Sequence, residues 1–407
     1  MKNSIFLLLV FVFTSQSFAQ QKSIDLKKLL SYSFPGHLTY SSENNTIFWV
    51  YNKEGVRNLW MAAGPDWKGH ALTGYAEDDG QDISAITFIP YSKNILFVRG
   101  GTSNRQGEIP NPLSWNQTPQ RQIFMINPES KQSVLLAEGG NPTVSPNGHY
   151  LVYSKGKEVW KINLKEGSTP EKLFSIRGNA GNLSFAPDGK TLAFTSYRGD
   201  HSFIGTYSIN GQSVHYINPS VDKDSNPVWI ENGNKLAFIR LPNARNELPF
   251  FSTREGNPWS VMLYDLKSGK TNTLWTSSGG PGSVFRTISA SSQLFATNDG
   301  HLIFPYEGDG WTHLWAVSTQ GGQAKCLTPG EFEVQYIQMG SDGNTLFYSS
   351  NHNDIDRQHI WSVSATGNPK QITQGKGIEW SPIQTNQGEV FCLSSTATQP
   401  AIVGKVD

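Results

Sequence analysis

With 407 residues, the chain is long enough for two or three domains or for one large all-β unit. Lys+Arg and Asp+Glu number 33 each, so the formal charge is zero and the basic footprint of a nucleic-acid binder is missing. Aromatics at 12%, with 39 Gly and 22 Pro, favour a strand- and turn-rich fold.

The N-terminus reads first. Lys2, the apolar run IFLLLVFVF (5–13) and Ser17-Phe18-Ala19 form the pattern of a secretory signal peptide over residues 1–19, with cleavage expected after Ala19. The run is too short to span a bilayer, and no later run is longer. The expectation is an exported protein, periplasmic or secreted, with no stable membrane insertion after cleavage and one domain over residues 20–407, whose architecture its repeats define. Cys326 and Cys392 sit inside the apolar runs AKCLT and VFCLS, which reads as two free thiols rather than a disulfide. No Cys or His pair has zinc spacing, so no metal or other cofactor is expected.

From residue 42 onward one pattern recurs. A turn ending in Gly or Asn precedes an apolar strand in SENNTIFWVY (42–51), YSKNILFVRG (91–100), SPNGHYLVYS (145–154), APDGKTLAFTS (186–196), IENGNKLAFIR (230–240), TNDGHLIFPY (297–306), GSDGNTLFYSS (340–350) and TNQGEVFCLSS (385–395). Asp or Asn in the turn can hydrogen-bond its own backbone, and the Gly or Asn after it accepts the positive φ of a tight hairpin. A strand leads into each turn, a third follows a polar loop, and seven copies carry a short fourth. Four antiparallel strands repeated eight times describe an all-β, eight-bladed β-propeller. The eighth copy lacks its fourth strand. Either the segment 24–34 supplies it, or the blade stays three-stranded with a partly open seam.

Charges gather in the loops between second and third strands, which share one face with the blade-to-blade links. The partner-facing candidates are Arg105, Glu108, Arg198, Asp200, His201, Arg245, Glu247, Arg254, Glu255, Glu307, Asp309, His313, Asp354, Asp356, Arg357 and His359. Two long arms, at about 101–121 and 241–259, emerge there too. Rigid scaffolds place function on such loops. Chemistry is harder to find: the chain has no Gly-x-Ser-x-Gly elbow, HExxH, P-loop or EF-hand loop. Glycoside hydrolysis needs two carboxyl groups roughly 5–10 Å apart, and nothing in the spacing selects a pair.

EGDGWTHLW (307–315), LTPGEFEV (327–334) and DIDRQHIWSV (354–363), with the general repeat APDGKTLAFTSYR (186–198), carry a family likeness. Over nearly all of residues 20–407 the chain resembles the N-terminal propeller of exported prolyl oligopeptidase-family serine peptidases, especially dipeptidyl peptidase IV-like and acylaminoacyl peptidase-like bacterial members. The resemblance implies a propeller that caps an α/β-hydrolase domain, filters peptide substrates and leaves the Ser-Asp-His triad to the hydrolase. The implied partners are a peptide substrate or an α/β-hydrolase domain, in cis or in trans. Because no hydrolase motif occurs here, the expected role is non-catalytic substrate gating and interaction. The chain has no Glu-Glu pair, and Glu331 and Glu333 are not adjacent, so the family's amine-binding role is not carried over. The alternative is a stand-alone TolB-like periplasmic propeller acting as a protein-binding scaffold.

Overall fold

The computed structural model describes residues 25–104, 108–165, 167–243, 255–256 and 258–406. The expected signal peptide (1–19) and Arg105, Arg245, Glu247 and Arg254 lie outside these. Residues 25–32 carry one short helix, Leu26–Leu30. From residue 33 onward the described chain is a succession of antiparallel sheets. Six of them are single blades, and an eight-stranded sheet holds two more, joined by one parallel bridge between Ser202 and Lys223. The blades span 34–71, 83–138, 140–175, 179–216, 223–276, 295–326, 334–371 and 378–405.

The repeated turn does what its residues dictate. In blade 4, Gly189 has φ +68°, its N–H reaches Ala186 O at 2.8 Å, and Lys190 N–H reaches Asp188 Oδ1 at 2.9 Å. The same turns stitch neighbouring blades together. Asn44 Nδ2 donates to Lys93 O, Asn298 Nδ2 to Asp342 O, and Ser341 Oγ to Thr385 O. The turns therefore share one face of a ring, and the second-to-third-strand loops and blade links form the other.

Eight hydrophobic clusters fill the ring. One packs Leu38, Ile47 and Trp49 of blade 1 against Ile383, Phe391 and Leu393 of blade 8. Asn386 N–H donates to Tyr40 Oη at 3.3 Å, and Trp67 Nε1 to Glu389 Oε1 at 3.3 Å. Side chains thus close the ring. Blade 8 has three strands, and none of the other described strands pairs with its outer edge. Both cysteines are free; Cys392 is buried and Cys326 half-buried.

Two devices were not visible in the turn pattern. The inner strands of seven blades break register at one residue of positive φ: His37, Ala85, Asn141, Asn182, Asn226, Tyr336 and Ser381. Each is a β-bulge that bends the innermost strand. In blades 1, 6 and 7 a threonine also ties the fourth strand to the third. The N–H groups of Leu59, Leu314 and Ile360 donate to the hydroxyls of Thr73, Thr328 and Thr373 at 2.8–3.0 Å. The residue just before each of those N–H groups (Asn58, His313 or His359) faces the threonine or shares its acceptor. Thr73 donates to Asn58 Oδ1, Thr328 Oγ1 lies 3.3 Å from His313 Nδ1, and Thr373 shares Glu379 Oε2 with His359.

Ion pairs at the far ends of the second strands hold the loop face in place. Arg240 grips Asp224 with two bonds of 2.7 and 2.8 Å and also donates to Asn218 O. Asp224 is wholly buried. Arg99 pairs with Asp79 through Nη2 alone and lies over the Tyr75 ring. Removing one member of a buried pair strands the other's charge, at a cost of about 3–5 kcal/mol. Asp224→Asn is expected to lower chemical-denaturation stability by about that amount, and Asp224→Leu with Arg240→Met to recover at least half. Equal losses for the single and double variants would contradict this.

Between blades 6 and 7, His352 stacks on Phe332 at 4.1 Å and on Trp361 at 4.7 Å, and His313 meets the edge of Phe332. Burial lowers the pKa of both imidazoles below the ordinary 6.5. His313 adds to the effect at His352, whereas Asp309, the Gly330 carbonyl and Glu333 oppose it at His313. The unfolded chain therefore binds more protons below about pH 6.5, so this stabilisation is complete above that pH and is lost as pH falls through the lowered values. His352→Phe keeps the stack and removes one proton site. Between about pH 7.5 and 5 the melting temperature of the wild type is expected to fall further than that of the variant. A parallel fall would count against the assignment.

Candidate functional site

The loop face differs from the turn face in what it exposes. Among the described residues from 33 onward, eleven large apolar side chains are exposed. Eight of these, Phe34, Leu113, Trp115, Tyr197, Val221, Trp311, Ile355 and Ile378, lie in second-to-third-strand loops, in blade links or at the strand ends beside them. Of the remaining three, Tyr91 sits on the turn face, and Val134 and Leu135 sit on an outer strand. Single exposed apolar residues are ordinary; their concentration on one face is informative.

An open groove of about 490 Å³ lies on this face between blades 7 and 8. Glu333, Gln335 and Tyr336 line one wall from the start of blade 7. Asn351, Ile355, Asp356, Arg357 and Gln358 come from its loop, and Ile378 and Trp380 from blade 8. The loop holds itself in shape. Asp354 accepts from Arg357 Nη1 at 2.7 Å and from Asp356 N–H at 3.1 Å, and these bonds hold its carboxyl below the usual range. Glu333 N–H donates to Asn351 Oδ1 at 2.8 Å, and Glu379 N–H to Gln358 O at 2.9 Å, tying the loop to both blades. Ile355 is left 86% exposed at the rim, so the loop spends no apolar contact on itself. Tyr336, held at φ +51°, lines both this groove and a second cavity of about 450 Å³ among the inner strands of blades 1, 7 and 8 and residues 289–291. Such a groove can seat an apolar side chain between polar walls. Among the described residues no three His, Cys, Asp or Glu side chains group as metal ligands.

The sequence candidates fall into separate places. Asp356 and Arg357 line the groove, with Asp354 behind them. Arg198 lies over the Phe203 and Tyr216 rings, and beside it Asp200 pairs with His201 at 2.6 Å. Glu108 closes its own loop on Asn104. Glu307 is largely buried and faces Arg286 at 3.6 Å. Asp309 is half exposed, 3.5 Å from His313. Glu255 is described in its backbone only, which pairs with Pro281. His313 and His359 are not surface groups. His313 is fully buried with Nε2 on Gly330 O at 2.9 Å, and His359 is buried with Nδ1 on Glu379 at 2.7 Å. They open the third strand rather than end the loop, which is why they turn inward. The groove residues that the charge pattern missed are Glu333, Gln335, Tyr336, Asn351, Ile355, Gln358, Ile378 and Trp380. Ile355, a lone aliphatic among NHNDIDRQ, was the readable signal.

Residues 246–401 match the family described as the dipeptidyl peptidase IV (DPP IV) N-terminal region. Dipeptidyl peptidase 4 of Arthroderma otae is 22% identical over 334 residues, covering 72% of this chain and 37% of the relative. That of Trichophyton equinum is 20% identical over 311 residues with the same coverage. The chain spans little more than a third of the length of these curated relatives. Among solved structures, Porphyromonas gingivalis dipeptidyl peptidase 4 superposes with a TM-score of 0.66 at 13% identity, over 94% of this chain and 59% of that one. A prolyl endopeptidase gives 0.58 at 11%, over 90% and 55%. By sequence over residues 246–401 and by fold over nearly its whole length, the chain resembles the N-terminal propeller of dipeptidyl peptidase IV and prolyl oligopeptidase-type peptidases.

Proposed function

We propose that this propeller is a non-catalytic docking and gating module of an exported peptidase system, and that its loop face receives an α/β-hydrolase domain, in cis or in trans. One observation carries the reading: among the described residues from 33 onward, eight of the eleven exposed large apolar side chains belong to that face. Interfaces that bury a protein partner need such a core with a polar rim. The mixed charges of Asp200, His201, Asp354, Asp356 and Arg357 supply rim character. The groove between blades 7 and 8 and the neighbouring inner-strand cavity, linked by Tyr336, would lie beneath the docked domain and act on what reaches it. The resemblance to dipeptidyl peptidase propellers supports a peptide as the gated substrate.

Two measurements test this. An apolar dye, bis-anilinonaphthalene sulfonate, should lose roughly half or more of its fluorescence enhancement on Trp311→Asp/Ile355→Asp/Ile378→Asp, while Tyr91→Asp on the turn face leaves it unchanged. The chain alone is expected to resist labelling by a serine-directed fluorophosphonate. A labelled serine in residues 33–406, or dye binding indifferent to the triple substitution, would overturn the reading.

A further inference from the structure

The arginines of the ring divide unevenly. Of the eight described, Arg57, Arg99, Arg240, Arg286 and Arg357 each reach a carboxylate. Arg121, Arg177 and Arg198 form no ion pair among the described residues. All three lie on the loop face, in consecutive blades 2, 3–4 and 4.

Backbone contacts join them into one strip. The Arg121 guanidinium lies against the inner strand of blade 3, where a Cβ on Gly140 would meet it at 3.3 Å. Its Nε is buried without a hydrogen-bond partner. Gly139 N–H donates to Arg121 O, and Ser154 Oγ to Gly140 O, leading to the Lys155-Gly156-Lys157 turn. Ile176 N–H donates to Lys157 O and Ala180 N–H to Gly156 O, which brings Arg177 beside that turn. Ser196 Oγ then donates to Arg177 O and accepts from Arg198 Nε, and the Arg198 stem runs across Gly178. The nearby acids are already engaged: Glu138 with Lys155, Glu158 with Lys172, and Asp200 with His201. Tyr197, 41% exposed, sits within the strip.

We infer that this strip over blades 2–4 binds an acidic polypeptide segment in extended form. Guanidinium groups bind carboxylates through paired, planar hydrogen bonds; these three have no acid partner among the described residues, and only the Nε of Arg198 is spent on a neighbouring hydroxyl. They are spread along a ridge of three blades instead of converging on one point, which suits several spaced carboxylates and not a single small anion. A formal charge of zero gives the chain no broad attraction for a nucleic-acid backbone. The inference uses the same face as the docking reading but none of its apolar groove residues, so each can fail without the other.

The test is fluorescence anisotropy of a fluorescein-labelled (Glu-Ser)5 peptide on the full chain. Binding is expected at low salt and should weaken about tenfold at about 300 mM NaCl. Arg121→Gln/Arg177→Gln/Arg198→Gln should weaken it about tenfold, and the exposed single change Arg177→Gln about threefold, with unchanged circular dichroism. Arg357→Gln, in the other groove, should stay within about twofold. If the triple variant is misfolded, the single Arg177→Gln result decides. No binding of (Glu-Ser)5, equal binding of (Lys-Ser)5, tighter binding of a dT12 oligonucleotide, or an unaffected Arg177→Gln would overturn the inference.

Discussion

A four-stranded sheet rich in buried aliphatic and aromatic residues has two faces to cover, and here only another such sheet is available to cover each. Phe48 and Val50 point into the cluster shared with Ile95 and Phe97, while Ile47 and Trp49 point to blade 8. Alternate side chains of one strand thus serve opposite neighbours. The same division recurs where Ala193 faces blade 5 and Leu192 and Phe194 face blade 3. Radial stacking is the arrangement that satisfies every blade at once, and each blade's stability is tied to the two beside it. Blade 8, with three described strands, is held by these faces, and no other described strand joins its edge.

That constraint assigns work to the two rims. Turns must be tight enough for adjacent blades to touch, so the turn face is filled with Asn, Asp, Pro and Gly bonded to one another across seams. The loop face has no such requirement. Its connections vary in length, its ion pairs anchor only their bases, and its tips are free to present Ile355, Trp311, Trp115 and the unpaired arginines. A rigid ring with one committed rim and one uncommitted rim is a natural holder for a second domain.

The turn residues made the blade repeat readable, because positive φ leaves a strong mark in composition. All eight turns and the strands around them fall where the pattern placed them. The inner-strand bulges left no such mark: three use Asn, but His37, Ala85, Tyr336 and Ser381 adopt the left-handed conformation only because the curved ring demands it. The site was half legible. Charge singled out Asp354, Asp356 and Arg357, which lie on the loop face, but it could not separate a loop tip from the first residue of a strand, and so His313 and His359 were grouped with surface residues. Both fill the place that Asn58 holds in blade 1. Nor could composition show which arginines already had acids, since Asp224, in the inner strand of blade 5, and Asp79, in a blade link, lie 16 and 20 residues from theirs.

Hydroxyl-radical footprinting of the purified chain tests the central claim of a two-sided ring most directly. Heavy oxidation is expected at Trp115, Tyr197, Trp311 and Ile355, with only background at the seam aromatics Trp49, Trp259 and Trp361. Comparable oxidation of seam and loop-face residues would contradict it.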